Sequence, residues 1–114
     1  MVTTQTAAAA AEMRSGNVSA STDGPLTRIW IEGVLDVLTV PQVRAALDGL
    51  VERKPPQVVV DLSRLRIIDG HGVRVIAHLY TQLRENGCAL SVLGAEQQPL
   101  AMLKLFQLDR VLVR

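Results

Sequence analysis

Large apolar side chains are almost absent from residues 1–17, where Thr, Ala, Gln, Ser and Gly prevail, and they become regular from Val18 onward. The first segment cannot bury enough surface to offset the cost of ordering it, so residues 1–17 are expected to be a disordered tail, with a transient helix open to the alanines at 7–11. Residues 18–114 are expected to form one domain. Its pattern begins with period two: "VSAST" reads as a short edge strand, Asp23-Gly24-Pro25 as a turn, and "LTRIWIEG" sets Leu26, Arg28 and Trp30 against Thr27, Ile29 and Ile31. The two segments predict a hairpin.

The period then lengthens. Val40, Val43, Leu47, Leu50 and Val51 recur at helical spacing behind a start signal at Thr39, with Pro41 in the first turn and Gln42 three residues on, in the manner of a capping box. After Pro55-Pro56, "QVVVDLS" is apolar on both faces and predicts a strand deep in a sheet. Val73, Ile76, Leu79, Tyr80 and Leu83 predict a second helix that begins after Asp69 and ends near Gly87. "CALSVLG" reads as a strand, Pro99–Phe106 as a short helix, and "VLV" near the C-terminus as a last strand. Strands alternating with helices imply parallel crossovers, preceded here by an antiparallel hairpin. The class is therefore α/β: a single domain with a mixed sheet of four to five strands and helices packed mainly on one face.

Composition narrows the function. With 48% hydrophobic and only 3% aromatic residues, the core must be built from Val, Leu, Ile and Ala, and Trp30 and Phe106 are expected in it. Twelve basic against 11 acidic residues leave a formal charge of +1, so nothing draws the chain toward nucleic acid or an anionic membrane. No apolar stretch approaches the ~20 residues of a membrane-spanning helix, and the alanine run lacks a cationic segment before it, as a signal peptide would have. The single cysteine, Cys88, lies in an apolar run, which suits a buried thiol in a reduced compartment. The expected location is the cytoplasm.

Candidate chemistry is sparse. His71 and His78 are seven residues apart, about 10 Å along a helix, too far to share a metal ion. No metal site is expected. "DGHG" at Asp69–Gly72 lacks the lysine and the further glycine of phosphate-binding loops, and no cofactor is expected. Cys88 or Ser63 could be assembled with His71 and Asp69 only on paper, because no activated nucleophile or oxyanion donor set is visible, so no enzyme activity is expected. Asp69 reads as an N-cap, Gly70 and Gly72 as steric permissions for a sharp turn and a close helix approach, and Asp61 with Ser63 as loop hydrogen bonding at a strand end. Arg64, Arg66 and Arg74 bracket the turn, as a solvated rim or as contacts to an acidic patch on a partner.

"GVLD" at Gly33–Asp36, "VVVDLSRLRIIDGHGVRVI" at Val58–Ile76 and "LRENGCALSVLG" at Leu83–Gly94 together resemble the STAS domain, the family of anti-sigma factor antagonists and sulfate-transporter tails. The most specific part is Asp61-x-Ser63, followed by the Asp69-x-x-Gly72 turn. In that family the turn reads Asp, two small hydroxyl residues, then Gly, and a partner kinase that is also the anti-sigma factor phosphorylates the second hydroxyl. Gly70 stands here in place of the first hydroxyl residue and His71 in place of the second. The resemblance thus implies the binding module without its phosphoacceptor, since an imidazole offers a Ser/Thr kinase no hydroxyl.

By the same resemblance, Asp69, Gly70, His71, Gly72, Arg74, Asp36 and Arg66 would face the partner, an anti-sigma factor or serine kinase of the ATP-binding type, while Gly33, Asp61 and Ser63 would belong to the structural motif. His71 stays open between a solvated residue at a decayed site, an interface contact that gains charge on acidification, and a ring-nitrogen phosphoacceptor. An anti-sigma factor antagonist-like regulator is the function implied. The alternative is an accessory STAS subunit binding the ATPase of a lipid-transport ABC system. Either is compatible with a homodimer.

Overall fold

A computed structural model describes residues 13–108 and 112–113. In chain order its elements are β1 (Met13–Ser15), β2 (Val18–Asp23), β3 (Leu26–Ile31), β4 (Gly33–Leu35), α1 (Val40–Glu52), β5 (Gln57–Asp61), β6 (Leu65–Ile68), α2 (Gly70–Glu85), β7 (Ala89–Leu93), α3 (Gln97–Leu105) and β8 (Leu112–Val113). Six strands form one sheet in the order β1-β2-β3-β5-β7-β8, and β4 and β6 form a separate two-stranded ladder. The β1-β2-β3 ladders are antiparallel and the β3-β5-β7-β8 ladders parallel. This is the mixed α/β architecture expected, with the hairpin placed before the crossovers.

The period-two reading of β3 holds residue by residue: Thr27, Ile29 and Ile31 are buried, and Leu26, Arg28 and Trp30 are half exposed. In the neighbouring β5, Val58 and Val60 are buried but Val59 is half exposed, so the helices cover one face of the sheet. Val43, Leu47, Leu50 and Val51 of α1 and Val73, Ile76, Leu79 and Leu83 of α2 complete an aliphatic core with Leu35, Leu62 and Ile68. At about 25 cal/mol per Å² of apolar surface removed from water, such burial is the main stabilising term in a core that is almost devoid of aromatics.

Several local expectations need correction. Residues 13–17 are not part of a disordered tail, because Met13–Ser15 pairs with Val18–Ala20 through a turn at Gly16 and gives the large sheet a sixth strand; residues 1–12 lie outside the described residues. A three-residue strand at a sheet edge needs few apolar side chains, which is why composition missed it. The capping box at Thr39 does not form. Asp36 takes over instead: its carboxylate accepts from the Leu38 and Thr39 N–H groups, and its carbonyl accepts from the Val40 N–H. The Thr39 hydroxyl meanwhile donates to the Val34 carbonyl, and the Gln42 side chain lies against Gly16.

Trp30 is only half buried, on the outer face of β3 with the Arg28 guanidinium 5.7 Å from its ring centroid. Phe106 is 48% exposed. It lies just past the end of α3, whose core-facing positions are Pro99 and Leu103.

Candidate functional site

Strand β6 delivers the chain to Asp69, and its partner β4 delivers Leu35 and Asp36 beside it, so two strand-to-helix turns meet at one end of the small ladder. The Asp69 N–H donates to the Leu35 carbonyl at 3.1 Å. The Asp69 carboxylate then serves both turns: Oδ1 accepts from the Gly72 N–H at 3.0 Å, capping α2, and Oδ2 accepts from the Val37 N–H at 3.2 Å. His71 Nδ1 lies 3.5 Å from the same Oδ2. The Gly72 N–H above all, with those of Val37 and His71 and the His71 ring, holds the Asp69 carboxyl below its ordinary range, because a carboxylate is favoured where amide hydrogens converge on it.

Gly72 and Gly70 divide the roles that the sequence assigned to both. A Cβ on Gly72 would meet the Leu35 carbonyl oxygen at 2.6 Å and Ile68 Cγ1 at 2.7 Å, so the helix can approach β4 this closely only without a side chain there. Among the described residues, a Cβ at Gly70 would meet only Phe106 Cζ, at 3.7 Å, which is ordinary contact. Gly70 is therefore not a steric requirement. Gly33 is a conformational one: its φ of +78° lies in the left-handed region, at the bulge where β4 shifts register against β6.

Above this base the surface is open. The His71 side chain is 60% exposed, and Arg66 and Arg74 are exposed as well. Val37 and Leu38, the residues tethered by Asp69 and Asp36, are 54% and 84% exposed, an apolar pair turned toward solvent beside the histidine. Nothing in the periodicity flagged them, because they sit between elements. Sequence reasoning also missed Gln98, whose side-chain amide donates to the Ile68 carbonyl and accepts from the Ile68 N–H, both at 2.9 Å, in the manner of one more strand on β6. The partners lie 30 residues apart, and no local signal connects them.

Asp61 and Ser63 are not brought to this surface. They close the β5–β6 turn on themselves, with Asp61 Oδ1 accepting from the Ser63 N–H at 2.9 Å and the Ser63 hydroxyl at 2.7 Å, beneath Gly94. Arg64 pairs with Glu32 rather than with the site. Cys88 is buried, and burial pushes its thiol above the usual value. Neither Ser63 nor Cys88 is thus joined to His71 in a nucleophile–base pair.

A family model described as "Mlab, STAS domain" matches residues 7–114. No curated protein matches the chain by sequence. Among solved structures, an anti-sigma factor antagonist from Mycobacterium paratuberculosis is similar over 83% of this chain and 80% of its own, with a TM-score of 0.76 at 21% identity. The phosphorylated form of the Bacillus cell fate determinant SpoIIAA matches over 84% and 88%, with a TM-score of 0.69 at 16% identity. A sulfate transporter family protein from Wolinella succinogenes matches over 78% and 72%, with a TM-score of 0.65 at 16% identity. At these identities the likeness to each structure is one of fold. Because the family model spans nearly the whole chain, on that fold and with the Asp-x-x-Gly turn at its helix mouth, the chain belongs to the STAS domain family.

Proposed function

We propose that the protein is an anti-sigma factor antagonist-like regulator, acting in the cytoplasm by protein–protein binding and catalysing no reaction of its own. Its docking surface is the mouth of α2: Asp69, Gly70, His71 and Arg74, framed by Asp36 and Arg66, with Gly72 holding the helix in place. The observation that carries this reading is the exposed pair Val37 and Leu38, whose backbone N–H groups are held by the Asp69 and Asp36 carboxylates respectively. Exposed apolar side chains on a hydrogen-bonded backbone, next to polar neighbours, fit a surface that a partner covers.

The partner in this reading is an anti-sigma factor of the ATP-binding serine-kinase type. A phosphate on a hydroxyl at position 71 would bring roughly −1.5 to −2 charges to the docking surface and so change its affinity for that partner. His71 offers no hydroxyl, so a Ser/Thr kinase finds no acceptor there and the module stays in its binding-competent state.

A second reading, an accessory subunit on the ATPase of a lipid-transport ABC system, is favoured by the description of the matching family model. Affinity capture from the native cytoplasm, with identification of what is bound, separates the two. A kinase-type anti-sigma factor is expected, and the double variant Val37→Asp, Leu38→Asp should fail to retain it. Recovery of an ABC ATPase supports the second reading, and equal capture by the double variant overturns the docking surface. With candidate kinases and labelled ATP, the wild type should remain unlabelled while His71→Ser gains acid-stable label.

A further inference from the structure

The surface around the α2 mouth has its carboxylates engaged and its guanidinium groups unengaged. Asp36 is occupied by the Leu38 and Thr39 N–H groups, and Asp69 by those of Gly72 and Val37 and by the His71 ring. Arg66 and Arg74, by contrast, are exposed, and among the described residues neither makes an ion pair. The first turn of α2 adds its own positive potential.

Beside Arg74 runs a groove of about 250 Å³ between α2 and the segment after α3, lined by Gly70, Val73, Arg74, Ala77, Phe106 and Leu108. Its walls are apolar apart from Arg74, and Phe106 stands 48% exposed on its rim. Gly70, between Asp69 and His71, makes the groove continuous with the docking surface proposed above.

We infer that the protein partner presents an acidic face carrying an apolar side chain, which seats in the groove against Phe106 while a carboxylate beside it meets Arg74. The inference rests on the docking reading and extends it by naming the partner's chemistry. An apolar anchor supplies contact area, and a carboxylate on Arg74 supplies register and orientation.

The test uses the full-length isotope-labelled chain and two short alanine-based helical peptides, each with one leucine and, one helical turn on, either glutamate or lysine. The glutamate peptide should shift the amide resonances of Gly70, Val73 and Ala77 saturably. Arg74→Glu should weaken it by roughly tenfold and transfer the preference to the lysine peptide. Phe106→Ala, a change at an exposed position, should weaken both. The carboxylate next along the chain, Asp109, lies outside the described residues, and Asp109→Asn should leave the titration unchanged. Equal binding of the two peptides, shifts confined to other regions or absent, or a severalfold gain in glutamate-peptide binding on Asp109→Asn would each overturn the inference. Val37 and Leu38 do not line the groove, so loss of capture by their double variant reports on the docking surface independently of the peptide result.

Discussion

Gly72 and Gly70 stand two residues apart at the start of α2 and meet opposite surroundings. Beneath Gly72 lie the Leu35 carbonyl and the Leu35 and Ile68 side chains, closer than any Cβ could tolerate; outside Gly70, among the described residues, there is only the edge of Phe106. The same division runs through the whole mouth of the helix. Its underside is made of close contacts with the Leu35 carbonyl and the buried Leu35 and Ile68 side chains, whereas its rim, from Val37 and Leu38 to His71 and Arg74, is exposed. A site built this way can change its surface chemistry at positions such as His71 without disturbing the fold that presents it.

The largest effect that tests this division is expected from Gly72→Ala. The added methyl meets a backbone carbonyl that cannot swing away, so overpacking should cost about 1–3 kcal/mol, seen as a lower urea midpoint with an unchanged slope. A midpoint equal to that of the wild type would show that the underside yields and would dissolve the comparison.

Asp69→Ala should come next, because it removes the cap of α2 and the tie to Val37 together. Its midpoint should fall at neutral pH, and amide exchange at Val37 should accelerate while exchange at Val58 and Val60 in β5 changes little. Exchange at Val37 as slow as in the wild type would mean that the rim is held by something other than Asp69.

Acidification sharpens the same point. The folded state lowers the Asp69 pKa, so the unfolded chain takes up its proton first as pH falls. The stabilisation is complete above the unfolded value of about 3.9 and is lost as pH descends from there through the folded value. The stability difference between wild type and Asp69→Ala should therefore shrink as pH falls below about pH 4. A difference that grows as pH falls below about pH 4 would carry the wrong sign for a capping carboxylate.

The smallest effects belong to the rim. Gly70→Ser and His71→Ser, separately or together, should move the urea midpoint by less than about 0.5 kcal/mol equivalent, since neither position requires its native side chain for packing. A large loss at Gly70 would show that the rim is as constrained as the underside.

Much of the architecture was legible in the linear pattern. Val43, Leu47, Leu50 and Val51 on α1, the stripe from Val73 to Leu83 on α2, and the alternation Thr27, Ile29, Ile31 on β3 follow from periodicities that are properties of the helix and the strand themselves. Asp69 was legible as a cap for the same reason, since an N-cap bond spans only three residues. The Asp-x-x-Gly turn was legible as well, and its resemblance to the STAS family marked it as the candidate site.

What the pattern left undecided depends on contacts between residues distant in sequence. Gly70 and Gly72 look alike in "DGHG", and only the approach of Leu35, 37 positions earlier than Gly72, makes one indispensable and leaves the other free. The second bond of Asp69 to Val37, the clasp of Gln98 on Ile68, and the exposure of Phe106 beside Gly70 rather than within the core likewise arise when separate segments are packed together. Local chemistry determined where this chain would turn, cap and bury. Tertiary packing decided which face of each turn was locked and which was left exposed to solvent, because steric exclusion and shared hydrogen bonds act between neighbours in space, whatever their distance along the chain.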